Sequence, residues 1–373
     1  MFTRNIRTGI VFSLLLAFVV TTAIAFYSDV PRMVAALAHF RWTYLPLILG
    51  FTLFNYFWRF VKWQYYLRRL KIVLDWRRSL LIFLSGLSMA ITPGKVGELL
   101  KSYLLRSTTG VAISRTSPII VAERLTDGIA MLGLAATGLV LYRFGWQIML
   151  VLLVLGILGI LLVQNRTLAL ACLDQLGRLP KMMRVTTAIR AFYESSYILL
   201  QWRPLLLAIS IGVISWSGEC VALYFVYTGL GVAASFDLFI KAVFILAISS
   251  LIGSASGLPG GLGTADGSMI GLTRVLISPS ASVGGAATLL IRLCTLWFGL
   301  ALGGAALLTF RAMPHIEGAR ENRVEDDGKG NDNTINNKLP VVEQPSGEVP
   351  GLASTTANNG EKVHENAHYY SNL

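Results

Sequence analysis

Residues 85–106, SGLSMAITPGKVGELLKSYLLR, decide how this chain folds. The segment begins as an apolar run, breaks at Pro93 and Gly94, and continues with Lys95, Glu98 and Lys101. Because proline removes a backbone donor and glycine loosens the chain, a helix entering this segment is expected to break there. Within a bilayer, broken backbone and charges are tolerated only beside protein or a water-filled cavity. The segment therefore predicts a polar pocket at membrane depth.

A second copy of this pattern lies at residues 254–266, SASGLPGGLGTAD. Pro-Gly-x-(Val/Leu)-Gly starts at Pro93 and again at Pro259, and an Arg-Leu pair follows each copy, at Arg124 and at Arg292. The arginines come 31 and 33 residues after the two prolines. The repetition predicts an internal duplication, and the alternative is that Pro and Gly recur by chance.

Composition indicates a polytopic membrane protein. The 373 residues are 54% hydrophobic and 14% charged, whereas a soluble domain carries about a quarter charged residues. The net charge of +12 comes mostly from basic residues beside apolar segments, which is typical of membrane topology rather than of nucleic-acid binding. The three cysteines are widely scattered, so neither a disulfide framework, a metal site nor a cofactor is indicated.

The apolar runs predict an all-α protein with about six full membrane spans. They lie at residues 10–27, 44–58, 117–142, 147–164, 205–230 and 283–310. The first run ends in a cleavage-like Ala-Ile-Ala, so a removed signal peptide is the alternative to a retained span. Two Pro-Gly-broken segments, 80–105 and 238–276, are expected to be re-entrant helical hairpins, and residues 182–200 an amphipathic surface helix.

The distribution of basic residues predicts the topology. Residues 165–203 are basic, and so are residues 59–78, which contain one acid, Asp75, against Arg59, Lys62, Arg68, Arg69, Lys71, Arg77 and Arg78. Both segments should face the cytoplasm, while the alternate loops are nearly neutral. This pattern predicts a multi-pass protein of the cell (inner) membrane with both termini in the cytoplasm and hairpins that enter from opposite sides.

The domain organisation follows from this parity. Residues 1–143 and 144–310 each read as span, span, hairpin, span, so the halves should be related as an inverted repeat, an arrangement common in secondary transporters. A duplicated scaffold without transport is the alternative. Residues 311–373 are polar and nearly free of large apolar residues, which predicts a disordered cytoplasmic tail.

Charged residues within the apolar regions are the candidate site. Lys95 and Lys101, beside backbone N–H groups of the first motif, could seat a phosphate, or they could snorkel to the surface. A second group is expected to form either a buried ion network or a protonation-coupled gate; it consists of Glu98, Glu123, Arg124 and Asp127. The second half repeats the theme with Asp266, Arg274 and Arg292, and adds Glu219, a lone acid with no nameable partner.

Three motifs carry a family resemblance: ITPGKVGELLKSYLL at 91–105, VAERLTDG at 121–128 and GLPGGLGTADG at 257–267. Residues 4–310 resemble the flippase-like membrane domain of the lysylphosphatidylglycerol synthase transmembrane-region type, which also occurs as stand-alone bacterial and archaeal proteins. The family pattern falls on Pro93, Gly94, Gly97, Glu98, Glu123, Arg124, Asp127, Pro259, Gly260, Gly261 and Gly263. A glutamate of that pattern is replaced by Asp266.

The resemblance implies translocation of lipids, in some members of an aminoacylated phospholipid. The synthases also carry a soluble aminoacyl-transferase domain, where this chain has its polar tail, so the chain is not expected to make the lipid or to be an enzyme. We therefore expect a flippase for a phosphate-bearing or otherwise polar-headed lipid. The alternatives are a membrane-embedded glycosyl transferase and a non-transporting partner of a lipid-modifying enzyme, and assembly with a second copy stays open.

Overall fold

The computed structural model describes residues 30–92, 97–142 and 183–313, together with single positions between residues 150 and 166. The chain divides into two units, Met1–Ala319 and Arg320–Leu373, and all described residues lie in the first. The predicted first span, most of the predicted fourth span and the predicted tail beyond residue 313 lie outside the described residues. Pro93, Gly94 and Lys95 lie outside them as well.

The described residues are helical and contain no strand. In chain order they form α1 (Val30–Ala38), a 3-10 turn (Trp42–Tyr44), α2 (Leu45–Arg69), α3 (Trp76–Leu87), α4 (Leu99–Thr109), α5 (Ile113–Tyr142), α6 (Met183–Leu199), α7 (Trp202–Gly229), α8 (Phe236–Ala255), a 3-10 turn (Pro259–Gly261), α9 (Thr264–Leu276), α10 (Ala281–Arg292), a π turn (Leu293–Trp297) and α11 (Phe298–Ala312). The prediction of an all-α chain is confirmed for this part.

Three helices in the described part are long and apolar enough to cross a membrane. They are α7, α8 and the continuous helix Ala281–Ala312. The first and last match the predicted fifth and sixth spans. Helix α8 was expected to be the entering arm of a hairpin, and at 20 residues it has the length of a full span.

Helix α2 extends well beyond the span predicted for residues 44–58. It continues to Arg69, and Lys62 within it is only 1% exposed. The predicted end of this span at residue 58 is therefore too early, because Arg59 and Lys62 belong to the same continuous helix. The side of the membrane that this segment faces stays a prediction. Arg68 and Arg69 are exposed at the end of the helix.

Both predicted helix breaks are present. Helix α3 ends in turns over residues 88–92 before α4 starts at Leu99, and α8 ends before α9 starts at Thr264. In the second break the backbone has positive φ at Gly260, Gly261 and Gly263. A Cβ on Gly261 would lie 3.0 Å from the Cα of Gly253, so the chain returns along α8 at a distance that only glycine permits.

Corresponding elements of the two halves have matching local geometry. Helices α2 and α7 end in the same way, with positive φ at Lys71 (55°) and at Gly231 (89°), 160 positions later. The next helix is capped by a side chain in each case, from Asp75 in α3 and from Ser235 in α8. The two connections are therefore alike in backbone conformation and in capping, which is consistent with the repetition predicted from the motifs.

Helices that are distant along the chain pack closely against each other. Helix α3 contacts α11, and α8 contacts α5; Gly303 of α11 lies against the backbone of α3, and Gly138 of α5 against Phe244 of α8. Helices α2 and α7 run antiparallel, as their cross-contacts show: Arg41 N to Gly229 O at 3.0 Å, Asn55 Nδ2 to Ser215 O at 3.0 Å, and Arg69 Nη2 to Gln201 Oε1 at 3.1 Å. Small residues permit such close helix contacts in membranes.

Candidate functional site

A cavity of about 190 Å³ lies between elements of both halves. Helices α2 to α5 line one part of it, and α7 to α11 the rest. Its charged lining residues comprise four cations and two anions, namely Arg59, Lys101, Arg124, Arg292, Glu98 and Glu219. A chamber of mixed charge within apolar helices matches the polar pocket predicted from residues 85–106.

The first ion pair of the cavity joins the start of α4 to α5. Arg124 binds Glu98 with two nitrogens, Nε to Oε2 at 3.0 Å and Nη2 to Oε1 at 2.9 Å. The carboxylate belongs to the residue that precedes α4, and Glu98 is 7% exposed. A bidentate, charge-assisted pair fixes both partners, so the segment after the first break is tied to the following long helix.

The second ion pair has the corresponding place in the other half. Arg292 Nε lies 2.6 Å from Asp266 Oδ1, and the two residues are 26 positions apart, as Glu98 and Arg124 are. Arg292 Nη1 also donates to the carbonyl of Gly260 at 3.0 Å, and Asp266 Oδ2 accepts from Gly263 N at 2.9 Å. The shorter Asp266 therefore keeps the charge contact, caps α9 and holds the glycine turn.

Lys101 is buried within the protein. Its Nζ lies 2.5 Å from Glu123 Oε2 and 4.9 Å from the centre of the Trp63 ring, and its side chain is 5% exposed. Snorkelling of Lys101 to the surface is therefore wrong for this structure. The lysine joins α4 to α5 a short distance along the chain from the Glu98–Arg124 pair.

Asp127 pairs with a residue that the sequence analysis did not connect with it. Lys62 Nζ donates to Asp127 Oδ1, with the two side chains 1% and 7% exposed. Residues Asn55, Arg59, Lys62 and Tyr66 recur at helical spacing in α2. Extending that periodicity past Trp58 would have placed Lys62 on the inward face.

The other predicted residues differ in where they lie relative to the cavity. Gly260 and Gly261 line the cavity, while Pro259 is buried beside them and Gly97 N donates to Thr92 Oγ1 at 2.9 Å. Arg274 is exposed on α9 and takes no part in the cavity, so its inclusion with Asp266 and Arg292 is wrong. Pro93, Gly94 and Lys95 lie outside the described residues.

Glu219 lines the cavity and is 8% exposed. It forms no ion pair or hydrogen bond with a described residue. Two further lining groups are buried without a hydrogen-bond partner in the described chain, the indole N–H of Trp216 and the hydroxyl of Ser249. The sequence gives no direct signal for these two, because each is an ordinary residue of an apolar helix.

The arginines have binding capacity left after these pairings. Arg124 Nη1 and Arg292 Nη2 make no hydrogen bond to a described residue, and both side chains are partly exposed, at 30% and 19%. A guanidinium donates in a fork that suits carboxylate and phosphate oxygens. No group of three metal-ligating side chains occurs among the described residues. The site is therefore suited to binding an anionic group.

Comparison with known proteins gives a family. A family model of the lysylphosphatidylglycerol synthase TM region matches residues 10–303. The chain belongs to this family. The match includes both helix breaks and both arginine–carboxylate pairs, so the site lies wholly within the TM-region domain.

The curated relatives are membrane proteins, which supports the same class for this chain. Two UPF0104 membrane proteins of Methanothermobacter thermautotrophicus are similar to this member of the family, one 38% identical over 129 residues and the other 34% identical over 122 residues. The similar segments cover 34% and 32% of this chain, and 37% and 35% of the relatives. The chain thus matches about a third of the length of each relative, and the resemblance stated from the motifs is confirmed by the family match.

Proposed function

We propose that this protein is a lipid transporter that moves a phosphate-bearing headgroup between leaflets through the cavity while the acyl chains stay in the bilayer. One observation carries the proposal: each half contributes an arginine to the cavity, Arg124 and Arg292, held by a carboxylate and retaining a free nitrogen. Two guanidiniums in a chamber within apolar helices favour an anionic, oxygen-rich ligand. The proposal involves transport without covalent chemistry.

An inverted repeat is part of this proposal. Antiparallel packing of α2 on α7, through Asn55 and Ser215 at corresponding positions, supports a two-fold relation whose axis is perpendicular to these helices. Since α7 has the length and composition of a membrane span, such an axis would lie in the membrane plane. Inverted repeats with broken helices around a central site are the usual basis of alternating access.

The two broken segments would then be re-entrant hairpins that move with their halves. Arg292 holds the carbonyl of Gly260 as well as Asp266, so the glycine turn and α10 would move as a unit. In the other half, Glu98 and Lys101 tie the start of α4 to α5. Rocking between these two rigid groups would open the cavity to one leaflet at a time.

The proposed topology in the cell membrane is supported by the charged end of the bundle. Arg68, Arg69 and Arg77 are exposed where α2 ends and α3 begins, which favours the cytoplasmic side. Phe310, near the end of α11, packs in the same cluster as Leu70 at the end of α2. The end of α11 would therefore also be cytoplasmic.

The test is lipid transfer in proteoliposomes with a headgroup-labelled phospholipid. Arg292→Gln and Arg124→Gln should each slow transfer roughly 10- to 100-fold, because each removes a charge-assisted bond worth about 1.5–3 kcal/mol. Arg274→Gln is the matched control, since Arg274 is exposed on α9. This variant should transfer lipid at the wild-type rate.

Folding of each variant is checked by size exclusion and thermal unfolding. Because Arg292→Gln leaves Asp266 buried without its cation, a double variant with Asp266→Asn separates stability from transport: it should recover folding but not transfer. Wild-type transfer in a folded double variant would refute the assignment of Arg292 to the transport site.

A further inference from the structure

Arg59 and Glu219 are corresponding residues of the repeat with opposite charge. They lie 160 positions apart, as do Asn55 and Ser215, which contact each other where α2 and α7 cross. Each charged residue follows its crossing residue by four positions, which is about one helical turn. Because the helices are antiparallel, Arg59 and Glu219 lie on opposite sides of the crossing.

Neither charge is neutralised by a described residue. The contact of Arg59 is with the ring of Trp216, at 5.9 Å from its centre. Glu219 forms no salt bridge with Arg59 or Arg292, although all three residues line the cavity. The neighbouring cations are all paired with carboxylates; these are Lys62, Lys101, Arg124 and Arg292.

Unpaired charges in such a place are costly. A charge removed from water without a partner costs several kcal/mol, and intramembrane charges without a structural partner mark substrate pathways. Glu219 is only 8% exposed, yet it lines the cavity. Its missing partner is therefore expected to come from what enters the cavity.

The surroundings add hydrogen-bonding capacity. Trp216 Nε1 is a buried donor and Ser249 Oγ a buried hydroxyl, both without a partner among the described residues, and both residues line the same cavity. Trp216 lies less than one turn before Glu219 on α7. Buried polar groups are nearly always satisfied, so this part of the cavity also lacks polar atoms that a ligand would supply.

We propose that Arg59 and Glu219 form a two-pole site for a zwitterionic headgroup that carries one phosphate and one primary ammonium group. The proposal rests on the proposed function and specifies its substrate. Arg59 takes the phosphate together with the free nitrogens of Arg124 and Arg292, and Glu219 takes the ammonium. A site with one positive and one negative group suits a ligand with one charge of each sign, because each ligand charge then meets an opposite charge.

The geometry is compatible with a ligand of this size. Eight residues of helix separate the levels of Arg59 and Glu219 along the antiparallel pair, which is about 12 Å between Cα levels. Both side chains line the same cavity. A purely anionic headgroup would leave Glu219 without a partner, and a headgroup with a second ammonium group would exceed its capacity.

The test is a binding competition by native mass spectrometry of the full chain in detergent, with lipids of identical acyl chains. The three probes are phosphatidylethanolamine, phosphatidylglycerol and lysine-esterified phosphatidylglycerol. The wild-type protein should retain phosphatidylethanolamine best. Glu219→Gln should lower its binding tenfold or more with phosphatidylglycerol unchanged, and Arg59→Gln should lower the binding of both.

Asp237→Asn is the matched control, since Asp237 is an exposed carboxylate that pairs with Lys241 on α8 outside the cavity. It should keep the wild-type order of lipids. Thermal unfolding confirms that each variant is folded, and the nearly isosteric Glu219→Gln removes a charge without adding volume.

Two results would overturn the two-pole site: a wild-type preference for either of the other lipids, or an unchanged phosphatidylethanolamine preference in folded Glu219→Gln. The binding test does not depend on transport. Headgroup selection that requires Glu219, found in a protein that transfers no lipid, would uphold the site and refute the transporter. Transfer that requires Arg292 but ignores the headgroup would uphold the transporter and refute the site.

Discussion

Replacing Lys62 by methionine tests whether Lys62 and Asp127 form a buried ion pair. The side chains of Lys62 and Asp127 are 1% and 7% exposed, and Asp127 Oδ2 has no hydrogen-bond partner in the described chain. Lys62→Met would therefore leave a buried carboxylate without its cation. Breaking a buried pair in this way costs about 3–5 kcal/mol of the free energy of unfolding.

The double variant Lys62→Met/Asp127→Leu gives the opposite expectation. Removing both charges and replacing them with apolar side chains of similar size is neutral or stabilising by about 1–4 kcal/mol, so the double variant should be at least as stable as the wild type. Lys241→Met is the control, because the i,i+4 pair of the partly exposed Lys241 with the exposed Asp237 contributes about 0.3–0.5 kcal/mol.

The measurement is the free energy of unfolding from denaturant titration in mixed micelles. Lys62 does not line the cavity, so lipid transfer per folded molecule should not change in any of these variants. A loss below about 1 kcal/mol for Lys62→Met would mean that Asp127 reaches water or another cation, and the description of this pair as buried would be refuted.

Two further predictions concern helix contacts. A Cβ on Gly303 would lie 2.4 Å from Ser88 N, so Gly303→Ala should push α11 away from α3 and lower the free energy of unfolding by about 1–3 kcal/mol. The control is Gly304→Ala, which has open space around its Cβ and should be neutral or slightly stabilising. Equal melting temperatures for the two variants would contradict the packing. Tyr56→Phe removes the hydroxyl that donates to Thr295 O at 2.7 Å in the π turn. The denaturant titration should show a free energy of unfolding lower by about 1–2 kcal/mol, whereas wild-type stability would show that water replaces the hydrogen bond.

The sequence predicted the residues of the two cavity ion pairs, but it did not predict that Lys62 pairs with Asp127. Glu98, Arg124, Asp266 and Arg292 were all named from motifs, because the repeated spacing after each Pro-Gly break is a local property of the chain. Asp127 was grouped with them, since it shares a helix face with Glu123. Its real partner, Lys62, comes from another helix, and no spacing along one helix indicates such a contact.

The sequence by itself determined the membrane class, the helical character of the described residues and the presence of two breaks between helices, since apolar composition, proline and glycine act locally. Only the tertiary structure decided that α2 continues inward to bury Lys62, that Arg274 lies outside the cavity, and that Arg59 and Glu219 share it without an ion-pair partner among the described residues. These outcomes depend on how antiparallel helices cross, and a crossing is set by the packing of residues that are distant along the chain.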